Sequence, residues 1–392
     1  MPFDVAAVQR ALQEARLDGW LLYDFHGSNP IAARLVGTAD RGKMTTRRWF
    51  YLVPAAGEPR GLVHAIERQS LGSLPGGRRV YAGREQLDAG LTELLAGMRR
   101  IAMEYSPDCA IPYVSRIDAG TMDLVRKRGI EVESSGDLVQ RFEAVWDDHA
   151  LATHRDAAAA LYRIKDRAFA SIARSVGKGE RITEVMVQQQ MVEWFEEEGL
   201  VSDSKPVVAA QENAGDPHYM PTNGRAIGSG ELVLLDLWGK TRADPRAVYA
   251  DITWVGFTGS RIPGQMSAAF EAIRRARDAA AGLVEDAAKT GSDLRGWQVD
   301  RAARNVLEQA GFREWILHRT GHNLGREVHG NGVHMDDYET HDDRRLLPGT
   351  GFTIEPGVYC DSFGVRTEIN MFYGSHDAYV TGPVQMEIVS LV

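Results

Sequence analysis

Apolar and polar positions change their period several times along this chain. In MPFDVAAVQRALQEARLDGW (1–20) the valine and leucine spacing follows the 3.6-residue period of an amphipathic helix. DGWLLYDF, RRWFYLVP and RRIAMEYS then read as short apolar strands, joined by connections that contain glycine and proline. From Asp147 the texture changes. DDHALATHRDAAAALYRIKDRAFASIARSVGKG predicts a long alanine-rich helix that stops at its glycines. A domain boundary at about residue 150 follows, dividing the chain into 1–150 and 151–392, with no flexible linker between the parts.

The second part carries a weak internal repeat. Shifted by 112 residues, GERITEVMVQQQMVEWFEEEGL from Gly179 lies over GSDLRGWQVDRAARNVLEQAGF from Gly291. Ile182 then matches Leu294, Val187 matches Val299, Phe195 matches Leu307, and Gly199 matches Gly311. Amphipathic helices of similar length align in part by chance. Here the flanks match as well: a long helix precedes each copy (150–176 and 266–288), and apolar β-branched strands follow. The pattern predicts an α+β domain of two related halves, with a site at their junction.

Composition narrows the class. The chain is 44% hydrophobic and 25% charged, as soluble globular proteins are. A net charge of -9 argues against nucleic acid or an anionic membrane surface as the main partner. Two cysteines, Cys109 and Cys360, make a secreted disulfide framework a poor reading and the cytoplasm the default. No signal-type apolar segment opens the sequence, and no apolar run reaches membrane-spanning length.

The candidate chemistry lies in acids placed where apolar residues belong. Asp236 interrupts the strand ELVLLDLWG, and Asp251 interrupts the next one, VYADITWVGF. KTRADPRA between them reads as a hairpin loop. Tyr249, Asp251 and Thr253 share one strand face. For one such aspartate a strand-end cap or a salt bridge is the simpler reading. Two in successive strands suggest metal ligands equally well. Further on, GTGFTIEPGVY places Glu355 before a Pro-Gly turn, and GVRTEINMFYG places Arg366, Glu368 and Asn370 on one face of the following strand. HRTGHNLGREVHG (318–330) adds three histidines in a glycine-rich stretch that reads as strand or loop, not helix. Four buried acids without a cation repel one another strongly. With one imidazole they form an oxygen-rich set suited to two divalent ions.

The motifs GDPHY, LLDLWG, YADITW, TGHNLGREVHG, TIEPGVY and VRTEINM resemble, in order, those of the pita-bread-fold metallopeptidases. That family includes methionine aminopeptidase, aminopeptidase P, prolidase and the metal-free creatinase. The resemblance covers 150–392, and residues 1–150 resemble the creatinase-type N-terminal α/β domain. It implies a curved antiparallel sheet between the two related halves. It also implies Asp236, Asp251, His322, Glu355 and Glu368 as metal ligands, with Asp251 and Glu368 bridging two ions. Mn2+ is the first choice, with Co2+, Zn2+ or Fe2+ as substitutes. His218 and His329 resemble the histidines that position substrate, and Glu355 the general base and acid. Arg366 either binds a substrate carboxylate or pairs with a nearby acid. His318, His334 and His341 match no motif as strongly and read as loop histidines.

Two departures stand out. Asp236 and Asp251 are fifteen residues apart where the family has eleven, which implies a longer loop tip. The residue after Glu368 is apolar, where the family has Asp or Asn. The implied activity is hydrolysis of the Xaa-Pro bond in dipeptides, by a homodimer acting on short proline-containing peptides. Aminopeptidase P, metal-dependent chemistry on a small metabolite, and a non-enzymatic binding role are the alternatives. Trp20, Phe25, His26, Arg47 and Trp49 are candidates to wall the site or to pack the first domain.

Overall fold

The computed structural model describes residues 3–37, 45–222 and 224–392. The chain divides into two compact units, Met1–Glu143 and Ala144–Val392. The division precedes the expected 150 because residues 144–149 are already tied into the second unit. Val145 bridges Thr350, and the Trp146 N–H donates to the Gly349 carbonyl (2.7 Å).

The first unit is built on six strands: β1 (Gly19–Asp24), β2 (Trp49–Pro54), β3 (Arg60–His64), β4 (Gly77–Tyr81), β5 (Arg100–Met103) and β6 (Glu131–Ser134). Their order is β4-β3-β2-β1-β5-β6, mostly parallel, with β2 antiparallel to both neighbours. Helices α1 (Val5–Glu14), α2 (Pro30–Leu35) and α5 (Gly136–Glu143) pack beside Trp20 and Leu22 on one face. Helices α3 (Arg84–Leu94) and α4 (Ala119–Arg126) cover Leu21 and Tyr23 on the other. Burial on both faces is why β1 and β2 are continuous apolar runs rather than alternating ones.

In the second unit, α6 (Asp148–Gly177) and α7 (Glu184–Glu197) precede β7 (Leu200–Val201), β8 (Val207–Ala210), β9 (Leu232–Thr241) and β10 (Ala250–Phe257). Then α8 (Gly264–Thr290) and α9 (Gly296–Gln309) precede β11 (Asn323–Leu324), β12 (Thr350–Ile354), β13 (Gly357–Cys360), β14 (Phe363–Arg366), β15 (Ile369–Tyr373), β16 (Ala378–Val380) and β17 (Val389–Ser390). Helix α9 starts and ends 112 positions after α7 (184 to 296, 197 to 309), as the repeat predicts. α6 and α7 pack with the β9–β10 hairpin, and α8 and α9 with β12 and β15. The mixed α/β architecture with antiparallel sheets agrees with the fold class expected. No helix of the described residues is long and apolar enough to cross a membrane.

One strand expectation needs correction. Arg366, Glu368 and Asn370 do not share one continuous strand. β14 pairs with β13 and ends at Arg366, whereas β15 pairs with β12 and begins at Ile369. The chain changes sheets at Thr367–Glu368. That break brings Glu368 onto β10, where its N–H donates to the Thr253 carbonyl (3.2 Å).

Candidate metal centre

β9 and β10 pair with Thr253 opposite Asp236 and Trp238 opposite Asp251. Opposed residues project from the same face of a sheet, so both aspartates enter one space. The loop between Thr241 and Ala250 joins the two strands. β15 joins from the other half of the unit. Asn370 accepts the Asp251 N–H at its Oδ1 (3.0 Å) and donates through Nδ2 to the Asp251 carbonyl.

His322 and Glu355 arrive through a close backbone contact. A Cβ at Gly321 would lie 2.1 Å from the Thr353 carbonyl oxygen, so only glycine lets residues 320–322 run against β12. Thr353 then ties the two together. Its hydroxyl accepts the His322 N–H (3.0 Å) and donates to Glu355 Oε1 (3.0 Å). His322 Nε2 lies 3.2 Å from Glu355 Oε1 and 3.6 Å from Asp251 Oδ2. Asp251, His322 and Glu368 each offer a ligand atom within 4.8 Å of the others.

Burial sets the electrostatics. It pushes the Asp251 carboxyl well above its usual range, and the negative charges of Asp236 and Glu355 add to the effect. Glu368 is raised in the same way, by burial and then by Asp251, Glu355 and Asp236. Glu355 goes the other way. Burial pushes it up, but His322, His318 and Arg366 together hold it below the ordinary value. Two buried oxygens, Asp251 Oδ1 and Glu368 Oε1, have no hydrogen-bond donor. A carboxylate oxygen is seldom buried in that condition, because desolvation without a partner costs several kcal/mol, on the order of a whole protein's margin of stability. Clustered acids, orphaned oxygens and one imidazole fit hard divalent cations.

Arg366 is held among three partners. Its guanidinium is buried and donates to Asp236 Oδ2, to the Thr253 hydroxyl (2.9 Å, from Nε) and to the Tyr359 hydroxyl (3.0 Å, from Nη1). It pairs with the acid Asp236. Thr253 and Tyr359 complete the support. Thr253 donates to Glu368 Oε2 (2.8 Å), and Tyr359 lies between Arg366 and His318 Nε2 (2.6 Å from the latter). The signal for Tyr359 was present in TIEPGVY, and that for Thr253 in the strand face it shares with Asp251.

The other histidines separate clearly. The His329 ring packs edge-on against His322, with centroids 4.3 Å apart. His218 is exposed after the short turn at Gln211–Gly215, and its ring makes no hydrogen bond among the described residues. His334, expected in an exposed loop, is only 1% exposed. Its Nδ1 accepts the Asn323 N–H (3.2 Å) and its backbone N–H reaches Asp342, contacts that loop sequence does not signal. His318 is part-buried against Tyr359, and His341 is an exposed partner of Asp337. In the first unit, Trp20 and Trp49 are core residues of β1 and β2. Phe25, His26 and Arg47 line a cavity of about 960 Å³ in that unit.

Comparison with known proteins gives this arrangement a family. The profile of metallopeptidase family M24 matches residues 153–373, more than half of the chain. "Probable dipeptidase PepE" of Mycobacterium tuberculosis is 29% identical over 240 residues, covering 59% of this chain and 56% of that protein. "Xaa-Pro dipeptidase" of Lactobacillus helveticus is 33% identical over 174 residues, covering 44% of this chain and 43% of that one. The chain thus spans about half the length of the curated relatives it matches. The crystal structure of dipeptidase PepE from Mycobacterium ulcerans superposes with a TM-score of 0.71 at 22% identity, covering 99% of this chain and 96% of that one. The last likeness shows the fold alone. The family match settles membership: this chain belongs to the M24 metallopeptidases.

Proposed function

We propose that this M24 chain hydrolyses the Xaa-Pro bond of dipeptides, with two divalent ions held by Asp236, Asp251, His322, Glu355 and Glu368. The observation that carries the reading is the pair of donorless buried oxygens on Asp251 and Glu368. An acid cluster that served packing alone would have its oxygens satisfied. The Xaa-Pro preference is supported by the name of the Lactobacillus relative.

When bound, the ions supply Lewis acidity and bring the pKa of water towards neutrality. The chain's own groups do the rest. Glu355 is the acid held below its usual range, so it is ionised at neutral pH and accepts the proton of the attacking water. It then delivers that proton to the leaving proline nitrogen. His329, pulled down to about 3 by the His322 charge and by burial, is a neutral imidazole at pH 7. Its ring N–H donates to the oxygen that becomes negative as the carbonyl is attacked. Arg366 fixes Asp236 and, through Thr253, Glu368. His218, exposed on its loop, is assigned a contact with the substrate rather than with the ions.

The test is hydrolysis of Ala-Pro and Ala-Pro-Ala by metal-stripped protein, before and after Mn2+ is added. Metal-restored cleavage of Ala-Pro alone is the expected result. Cleavage of the tripeptide would reassign the chain as an aminopeptidase P. Binding of Mn2+ with neither peptide cut would refute the peptidase reading.

A further inference from the structure

The space beside Asp251 has an unusual wall. Trp238 stands opposite Asp251 in the β9–β10 ladder and projects from the same sheet face. Its indole is half-buried, and its Nε1–H donates to Asp203 Oδ1 at 2.7 Å. Asp203 lies exposed in the loop between β7 and β8. The indole hydrogen bond holds its carboxylate at the end of the ring. Among the described residues no cation is within ion-pair distance of it. On this rim the Lys240 ammonium is on the Arg326 carbonyl and 4.9 Å over the Tyr249 ring.

Asp203 sits at the far end of the indole that stands beside Asp251. Opposed Cβ atoms in a ladder are about 5 Å apart, and the indole extends about as far again to its nitrogen. The carboxylate is therefore roughly one long side chain away from Asp251. A flat aromatic wall ending in an acid suits a side chain with an aliphatic stem and a cationic head. The stem lies on the ring, and the head reaches the carboxylate in a charge-assisted hydrogen bond.

We propose that Trp238 and Asp203 form the pocket for the residue before proline, and that this pocket selects arginine or lysine there. The inference rests on the Xaa-Pro reading above and names its substrate class. It is tested with Arg-Pro and citrulline-Pro, two dipeptides of nearly the same shape that differ in the charge of the head group. Wild-type protein loaded with Mn2+ is expected to show a kcat/KM ratio of about ten in favour of Arg-Pro. In Asp203→Asn the ratio is expected to fall to about one. A ratio, read within one protein, is insensitive to losses of folding or metal that affect both substrates equally. A wild-type ratio near one, or a ratio unchanged in Asp203→Asn, overturns this inference and leaves the peptidase reading intact. Failure to cleave any Xaa-Pro dipeptide overturns both.

Discussion

Each unit of this molecule buries carboxylates, and the two do it in opposite ways. In the first unit Glu104 is fully buried, yet both of its oxygens are occupied. Oε1 accepts from Trp20 Nε1 (2.7 Å) and Ser135 Oγ (3.1 Å), and Oε2 accepts from Asn29 Nδ2 (2.6 Å). Asn29 in turn caps α2 through its Oδ1. In the second unit Asp251 Oδ1 and Glu368 Oε1 have no donor, and each acid faces others of like charge. Burial is costly in both places. The first cluster meets that cost with neutral donors and so ties strands and a helix together. The second does not meet it within the chain, and this is the signature of a site that binds cations. The contrast separates a structural acid from a functional one better than burial or pKa direction does alone.

The largest expected effect tests the second half of that contrast. Asp251→Asn should lower Mn2+-dependent kcat/KM by about a thousandfold, equivalent to about 4 kcal/mol of transition-state stabilisation. The metal-stripped variant should nevertheless be no less stable than metal-stripped wild type, because one member of a repelling set is neutralised. Thermal unfolding in chelator checks this. A clear loss of stability without metal would show that Asp251 holds the fold together and would erase the distinction from Glu104.

How legible these two clusters were in the sequence differs for a physical reason. Asp236, Asp251, Glu355 and Glu368 stand out because each interrupts an apolar run, and burial of a charge there requires a cause. The repeat of α7 in α9 is legible for a similar reason, since helical periodicity is written locally. Arg366 was not resolved, because its partner depends on the change of sheet between β14 and β15, and period-two reasoning assumes one continuous strand. His334 was missed because its burial comes from loop contacts to Asn323 and Asp342, which leave no periodic trace. Glu104 was passed over as well. It follows the short strand β5, and nothing nearby in sequence reveals donors from Asn29 and Ser135.

The Glu104 side of the comparison gives a smaller effect, in stability rather than catalysis. Burial raises its carboxyl to about 7, against the pull of the Asn29, Trp20 and Ser135 hydrogen bonds. A carboxyl with a raised pKa binds more protons folded than unfolded between its two pKa values. The stability it contributes is therefore full below about pH 4.5 and is lost as pH rises through about 7. Trp20 fluorescence should follow the same titration, since its indole donates directly to Glu104. Glu104→Gln turns an amide NH2 towards a donor and should destabilise the first unit by about 2 kcal/mol. The deficit should be greatest at low pH and narrow above pH 7, with Mn2+ affinity unchanged. Denaturant titrations at pH 5 and pH 8 decide it. A deficit independent of pH would mean that Glu104 does not titrate in this range.

The smallest effect concerns a neutral donor inside the second cluster, the Thr253 hydroxyl. Thr253 donates to Glu368 Oε2 (2.8 Å) and accepts from Arg366 Nε (2.9 Å), so its hydroxyl links a proposed metal ligand to the arginine that holds Asp236. Valine keeps the shape and the strand preference but removes both bonds. Groups that orient ligands in this way typically contribute about ten- to a hundredfold in metal affinity. Thr253→Val is expected near the lower limit, about tenfold, because Arg366 keeps its contacts with Asp236 and Tyr359. Calorimetric titration of Mn2+ into the stripped variant measures the change, and peptide turnover at saturating Mn2+ should recover most of the activity. If affinity is unchanged, the Thr253 hydroxyl satisfies Glu368 without orienting it. The second cluster would then resemble the first more closely, with a neutral donor that serves packing alone.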